Sequence, residues 1–145
     1  MIAYCLMPNH YHFLMRQNGE VSISACIQSI FNSYTKAFNK MHGTSGTLFE
    51  GRFRSIHVDT DEYVTHLCRY IHRNPLDGKK PLVQTLTDWP YSNYPEWLGL
   101  RNGTLIDHHF VQGFFPNTYD YQVFVLNYQP SKQLAEELQP YFLDQ

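Results

Sequence analysis

Two histidines two residues apart, His10 and His12, sit in the strand-like run AYCLMPNHYHFLM of residues 3–15. Side chains at i and i+2 of a strand share a face, with Cα atoms roughly 6.5–7 Å apart, so both imidazoles can reach one divalent cation. Tyr11, between them, then points to the other face. A second set falls on a predicted helix that starts at Thr60. Tyr63, His66, Tyr70 and Asn74 recur there at spacings of three and four, on the face opposite the apolar stripe Val64, Leu67, Cys68 and Ile71. Taken alone, Tyr70 reads as a core-edge residue and Asn74 as a helix cap. Taken with the histidine pair, they suit phosphodiester chemistry. A divalent cation polarises a phosphoryl oxygen and offsets developing charge. A phenol, with a pKa of about 10, is a poor nucleophile that needs such an electrophile. The Asn74 carbonyl oxygen is a hard third ligand of the kind Mg²⁺ or Mn²⁺ takes.

These residues need a folded scaffold, and the composition supplies one. At 145 residues the chain is long enough for a single domain that buries roughly two-thirds of its unfolded surface. An aromatic content of 16% argues against disorder. The three cysteines, odd in number and without CxxC spacing, read as reduced thiols of a cytoplasmic protein. No segment reads as a signal peptide or a membrane span. The net charge of −2 hides an asymmetry. Residues 36–80 carry eight bases against five acids, a net +3, and residues 81–145 carry two bases against seven acids, a net −5. Such a chain can bind a polyanion on one face only. Within the basic stretch, Lys36, Arg52, Arg54, Arg69 and Arg73 are the expected phosphate contacts, with Arg52 and Arg54 foremost.

Residues 2–6 and 10–15 read as strands joined across Pro8-Asn9. Ile23, Ile27, Ile30, Phe31, Tyr34, Phe38 and Met41 give an amphipathic helix, capped by Ser22 or Ser24 and followed by Gly43. Residues 49–59 alternate as a strand. The helix from Thr60 is expected to stop near Asn74, because Pro75 cannot continue it. A Pro- and Trp-rich connector follows, more suited to a packed cover than to base stacking by Trp89, Tyr91, Tyr94 and Trp97. Short helices are expected near residues 119–127 and from Ser131 to about residue 139.

The chain resembles the REP-associated tyrosine transposases, a branch of the single-tyrosine HUH endonuclease superfamily. The resemblance covers residues 2 to about 127 in four blocks, AYCLMPNHYHFLM, GTLFEGRFRSIHVD, RYIHRNP and WPYSNYPEWLG. It implies an α+β, ferredoxin-like sandwich, an antiparallel sheet with helices on one face. Because the family carries a strand and a helix before the block that opens this chain, the sandwich expected here lacks both. Residues 1 to about 100 would form the catalytic core and residues 101–145 a C-terminal extension with short helices. The resemblance further implies metal-dependent cleavage and joining of single-stranded DNA that folds as palindromic hairpins. By its place in RYIHRNP, Tyr70 would form a 5′-phosphotyrosine link; His10 and His12 match the metal pair and Asn74 the amide ligand, with Mg²⁺ or Mn²⁺ as cofactor. The expected state is a monomer or homodimer.

His66 shares the Tyr70 face and is a candidate modulator of the site, whereas His72 points away and reads as structural. His42, His108 and His109 are assigned to loops, and His57 to a surface or core position. Two other functions compete. A cupin-type metalloenzyme also uses His-x-His on a strand, but it wants a Glu three or four residues later, where this chain has Met15 and Arg16. A catalytically inactive hairpin-binding protein derived from a transposase would keep the fold and lose the chemistry.

Overall fold

Alternation at the start of the chain builds an antiparallel hairpin: β1 (Ala3–Leu6) pairs with β2 (Tyr11–Leu14) in the register Ala3–Leu14, Tyr4–Phe13, Cys5–His12 and Leu6–Tyr11. The Met7 N–H donates to the His10 carbonyl at 2.8 Å and closes the Pro8-Asn9 turn. Cross-strand partners share a face, so Ala3, Cys5, His12 and Leu14 line one side. This computed structural model describes residues 1–77 and 80–142. Lys79, counted in the basic stretch above, lies outside the described residues. Two compact units result: residues 1–15 with 56–145, and residues 16–55.

In the first unit the hairpin is covered by the helix α2 (Asp61–Asp77). Thr60 caps it by accepting the Tyr63 N–H at 3.2 Å, and Asp61 and Glu62 occupy the positive end of its dipole. Its apolar stripe, Val64, Leu67, Cys68 and Ile71, joins Ile2, Ala3, Cys5 and Leu14 in one core. The helix does not end at Asn74; Pro75 lies inside it. Near a C-terminus a proline forfeits a single helical hydrogen bond, and here its ring is fully buried while its carbonyl accepts the Leu82 N–H at 2.8 Å. Burial of the ring and the return of the chain offset the lost bond.

The free edge of β1 is closed by the connector rather than by a strand. Leu6 N–H donates to the Tyr91 carbonyl at 2.8 Å, and Asn93 N–H donates to the Tyr4 carbonyl at 3.3 Å. The Asn93 amide continues this ladder, accepting Tyr4 N–H at 2.7 Å and donating to the Ile2 carbonyl at 2.9 Å. Behind it the short helix α3 (Tyr94–Trp97) sets Tyr94 and Trp97 into the core. The connector is thus a packed cover, as its composition suggested. Three more helices follow: α4 (His108–Phe114), α5 (Thr118–Asn127) and α6 (Lys132–Leu138), whose N-caps are Asp107, Asn117 and Ser131. His108 and His109 therefore open a helix rather than a loop. Tyr121 of α5 is fully buried and stacks on Trp97 at 4.2 Å.

The helix α1 (Ile23–His42) belongs to the second unit. Ser22 caps it, and Gly43 ends it in the left-handed region at φ 63°, donating its N–H to the Asn39 carbonyl. Phe49 folds back on Phe31 and Tyr34 at 4.5 and 6.2 Å between ring centroids. The strand expected over residues 49–59 does not form. Among the described residues the sheet has two strands, neither drawn from this segment, whose apolar Phe53 and Ile56 are exposed. The architecture is α+β and compatible with a ferredoxin-like arrangement of helices against an antiparallel sheet. No described helix is long and apolar enough to cross a membrane.

Candidate active site

The hairpin and α2 bring the sequence-selected residues together. His10 stands at the mouth of β2 and His12 within it, and their rings lie 5.0 Å apart, edge to face. Asn74, on the last turns of α2, is reached by both. The Asn74 Oδ1 lies 3.3 Å from His10 Nε2, and its Nδ2 lies 3.2 Å from His12 Nε2. One turn earlier, the Tyr70 ring sits 5.5 Å from that of His12, again edge to face. The arrangement follows from two periodicities. The strand repeat puts both imidazoles on the face that α2 covers, and the helical repeat puts Tyr70 and Asn74 on the side of α2 that meets them.

Chemically this is a cluster of two imidazole nitrogens and one amide oxygen within reach of one another, next to a phenol. Among the described residues no three His, Cys, Asp or Glu side chains gather. A cation here would therefore rest on two imidazoles and a neutral amide. That donor set fits a divalent ion of the Mg²⁺ or Mn²⁺ kind, which leaves positions open for water or phosphate oxygens.

The face of α2 that carries Tyr70 is more covered than its polarity suggests. Tyr70 is half-buried, with Phe142 stacked on its ring at 4.2 Å and 20°. Tyr63 packs against Tyr141 at 5.3 Å and donates its hydroxyl to Glu137 at 3.3 Å. His66 is buried between Phe124 and Tyr128, at 5.3 and 5.1 Å, and burial lowers its pKa. It sits under the aromatic cover formed by α5, one turn from Tyr70. His72 is buried on the other side of α2, as expected, between Tyr121 Oη at 2.6 Å and Asn93 Oδ1 at 2.9 Å; burial lowers its pKa to about 4. Burial also pushes the Cys5 thiol up to about 12 and raises that of Cys68, so neither is a ready nucleophile.

The arginines divide. The Arg73 guanidinium binds Asp77 at 2.6 Å and donates to the carbonyls of Val125 and Leu126 at 3.0 and 3.2 Å. Arg69 donates to the Tyr128 carbonyl and lies 5.6 Å from the Tyr128 ring. Both guanidiniums therefore serve carbonyls at the C-terminal end of α5 and its cap residue Tyr128, where a helix presents negative charge. In the second unit Lys36, Arg52 and Arg54 are exposed. Two residues near the cluster escaped sequence reasoning. Asn9, seen only as a turn former, places Oδ1 2.8 Å from His10 Nδ1. Phe142 carried no sequence signal, since nothing local links it to Tyr70.

Residues 1–74, half of the chain, match the family model described as transposase, IS200-like. The match ends on Asn74 and so contains all four residues of the cluster. No curated protein and no solved structure matches.

Proposed function

This chain belongs to the IS200-like transposase family, and we propose that within it the protein is a REP-associated tyrosine transposase that cuts and joins hairpin-forming single-stranded DNA. The observation that carries this reading is the Asn74 amide between His10 Nε2 and His12 Nε2 at 3.3 and 3.2 Å, one helical turn from Tyr70. His10, His12 and Asn74 would hold Mg²⁺ or Mn²⁺, which when bound polarises the scissile phosphate and stabilises the charge that develops on it. Tyr70 is the nucleophile. Its phenolic oxygen forms a bond to phosphorus as the bond from phosphorus to O3′ breaks. The strand downstream stays linked as a 5′-phosphotyrosine, and the proton lost by the phenol is balanced by the one gained on the released 3′-OH. Rejoining reverses the same exchange with another 3′-OH. The packing of Tyr70 between His12 and Phe142 holds the ring in one place, which suits a transfer that depends on position and electrostatics.

Lys36, Arg52 and Arg54, all exposed, are the proposed contacts to the DNA backbone. Arg69 and Arg73, which also bond carbonyls at the end of α5, are the further proposed phosphate contacts. The partner is a single-stranded palindromic hairpin, and the setting the cytoplasm. The test is a cleavage assay on hairpin oligonucleotides with Mn²⁺, comparing wild type with Tyr70→Phe. Wild type should give a denaturation-resistant protein–DNA adduct, and the Phe variant should give none while binding the hairpin nearly as well. An adduct in Tyr70→Phe would move the nucleophile elsewhere, with Tyr63 next to test. Hairpin binding without any adduct in metal-loaded wild type would favour an inactive, transposase-derived DNA-binding protein.

A further inference from the structure

We infer that Asn9 is a positioning residue for this site, holding His10 in the tautomer that aims its Nε2 lone pair at the Asn74 amide. The inference rests on the metal reading above. An imidazole ligates only through an unprotonated nitrogen, so a neutral histidine must keep its proton on the other one. Free neutral imidazoles ordinarily favour the proton on Nε2, which would block His10 at the atom that faces Asn74.

The geometry decides between the two tautomers. His10 Nδ1 lies 2.8 Å from Asn9 Oδ1, while His10 Nε2 lies 3.3 Å from Asn74 Oδ1. With the proton on Nε2, two acceptors would face each other at the shorter distance. With the proton on Nδ1, Asn9 receives a well-placed hydrogen bond, and two lone pairs face each other only at the longer distance. The second arrangement is the better one, and it leaves an imidazole nitrogen and an amide oxygen both offering electron pairs to one point. His12 completes the pattern, since its Nε2 faces the Asn74 Nδ2 donor at 3.2 Å and so also carries a lone pair there. Two ligating nitrogens are thereby set towards the same amide before any cation arrives.

The position of Asn9 makes this possible. The Pro8-Asn9 turn places its side chain beside the ring of the next residue, and the Met7 N–H to His10 carbonyl bond holds the turn closed. An aspartate would keep both the turn and the acceptor; alanine and glycine would remove the acceptor.

The experiment has two readouts on the full chain. Imidazole nitrogen NMR of metal-free protein in mildly alkaline buffer should show His10 protonated on Nδ1, reverting towards Nε2 in Asn9→Ala. Electron paramagnetic resonance titration with Mn²⁺ should show affinity about 10- to 100-fold weaker in Asn9→Ala and Asn9→Gly, the range typical for loss of a second-layer partner, and restored in Asn9→Asp. An Nε2-protonated His10 in wild type, or Mn²⁺ affinity unchanged in Asn9→Ala, overturns the inference. If wild type fails to bind Mn²⁺, the metal reading of the previous subsection falls, and the tautomer measurement still decides the role of Asn9.

Discussion

Replacing Asn93 by alanine should cost the fold about 2–6 kcal/mol, although Asn93 touches none of the reacting groups. Its Oδ1 accepts Tyr4 N–H at 2.7 Å and His72 Nε2–H at 2.9 Å, and its Nδ2 donates to the Ile2 carbonyl at 2.9 Å. The Ile2 carbonyl keeps a second donor, Trp97 Nε1 at 3.1 Å, so its loss is small. The other two donors are stranded in or beside the core, at about 1–3 kcal/mol each. Against a total stability of about 5–15 kcal/mol for a domain this is a large fraction. It falls on β1, which holds the hairpin that carries both histidines. Urea unfolding followed by far-UV circular dichroism gives the value, with the slope m compared to confirm that the unfolded state is unchanged. A loss below about 1 kcal/mol would refute the reasoning, since it would mean that water or a shifted chain satisfies both donors. Asn93→Asp should lose a similar amount, because it puts an acceptor against the Ile2 carbonyl.

Stability should fall as pH drops from about 6.5 to about 4: the unfolded chain protonates His72 near its ordinary value of 6.5, while burial holds it neutral in the fold down to about 4. The unfolded state binds the extra proton in that window, so up to about 3 kcal/mol is present above it and lost across it. Thermal midpoints against pH check this, and a flat profile between those limits would contradict it. Arg73→Ala should cost about 1–2 kcal/mol and speed amide exchange at the end of α5, because its guanidinium serves the Val125 and Leu126 carbonyls. Arg52→Ala and Arg54→Ala should each weaken hairpin binding and lower its salt slope by about 1, and Arg52→Ala should leave the urea midpoint in place. An unchanged slope would remove that arginine from the DNA surface.

The parts of this protein that were legible in its sequence are those governed by local periodicity. The i, i+2 spacing of His10 and His12 and the three-and-four spacing of Tyr70 and Asn74 each define a face, whatever lies opposite. Caps were equally local: Ser22, Thr60 and Ser131 each bond an N–H three residues on. The strand expected over residues 49–59 failed for the complementary reason. Alternation describes one segment, whereas a strand requires pairing with a neighbour, and the two-stranded sheet of the described residues takes no strand from 49–59.

Only the tertiary structure decided which chemically capable groups are committed elsewhere. Arg69 and Arg73 carry the charge of phosphate contacts, yet each also donates to a carbonyl at the C-terminal end of α5, more than 50 residues away in sequence. His66 looks like part of a polar helix face until Phe124 and Tyr128 cover it. Pro75 looks like a stop until burial of its ring outweighs one lost bond. The sequence by itself determined that two imidazoles, an amide and a phenol lie on two faces able to meet, since side-chain direction follows from backbone repeat. That those faces do meet, with Asn74 within 3.3 Å of both imidazoles, was decided by the shared apolar core that presses α2 onto the hairpin, because burial is a property of the whole chain.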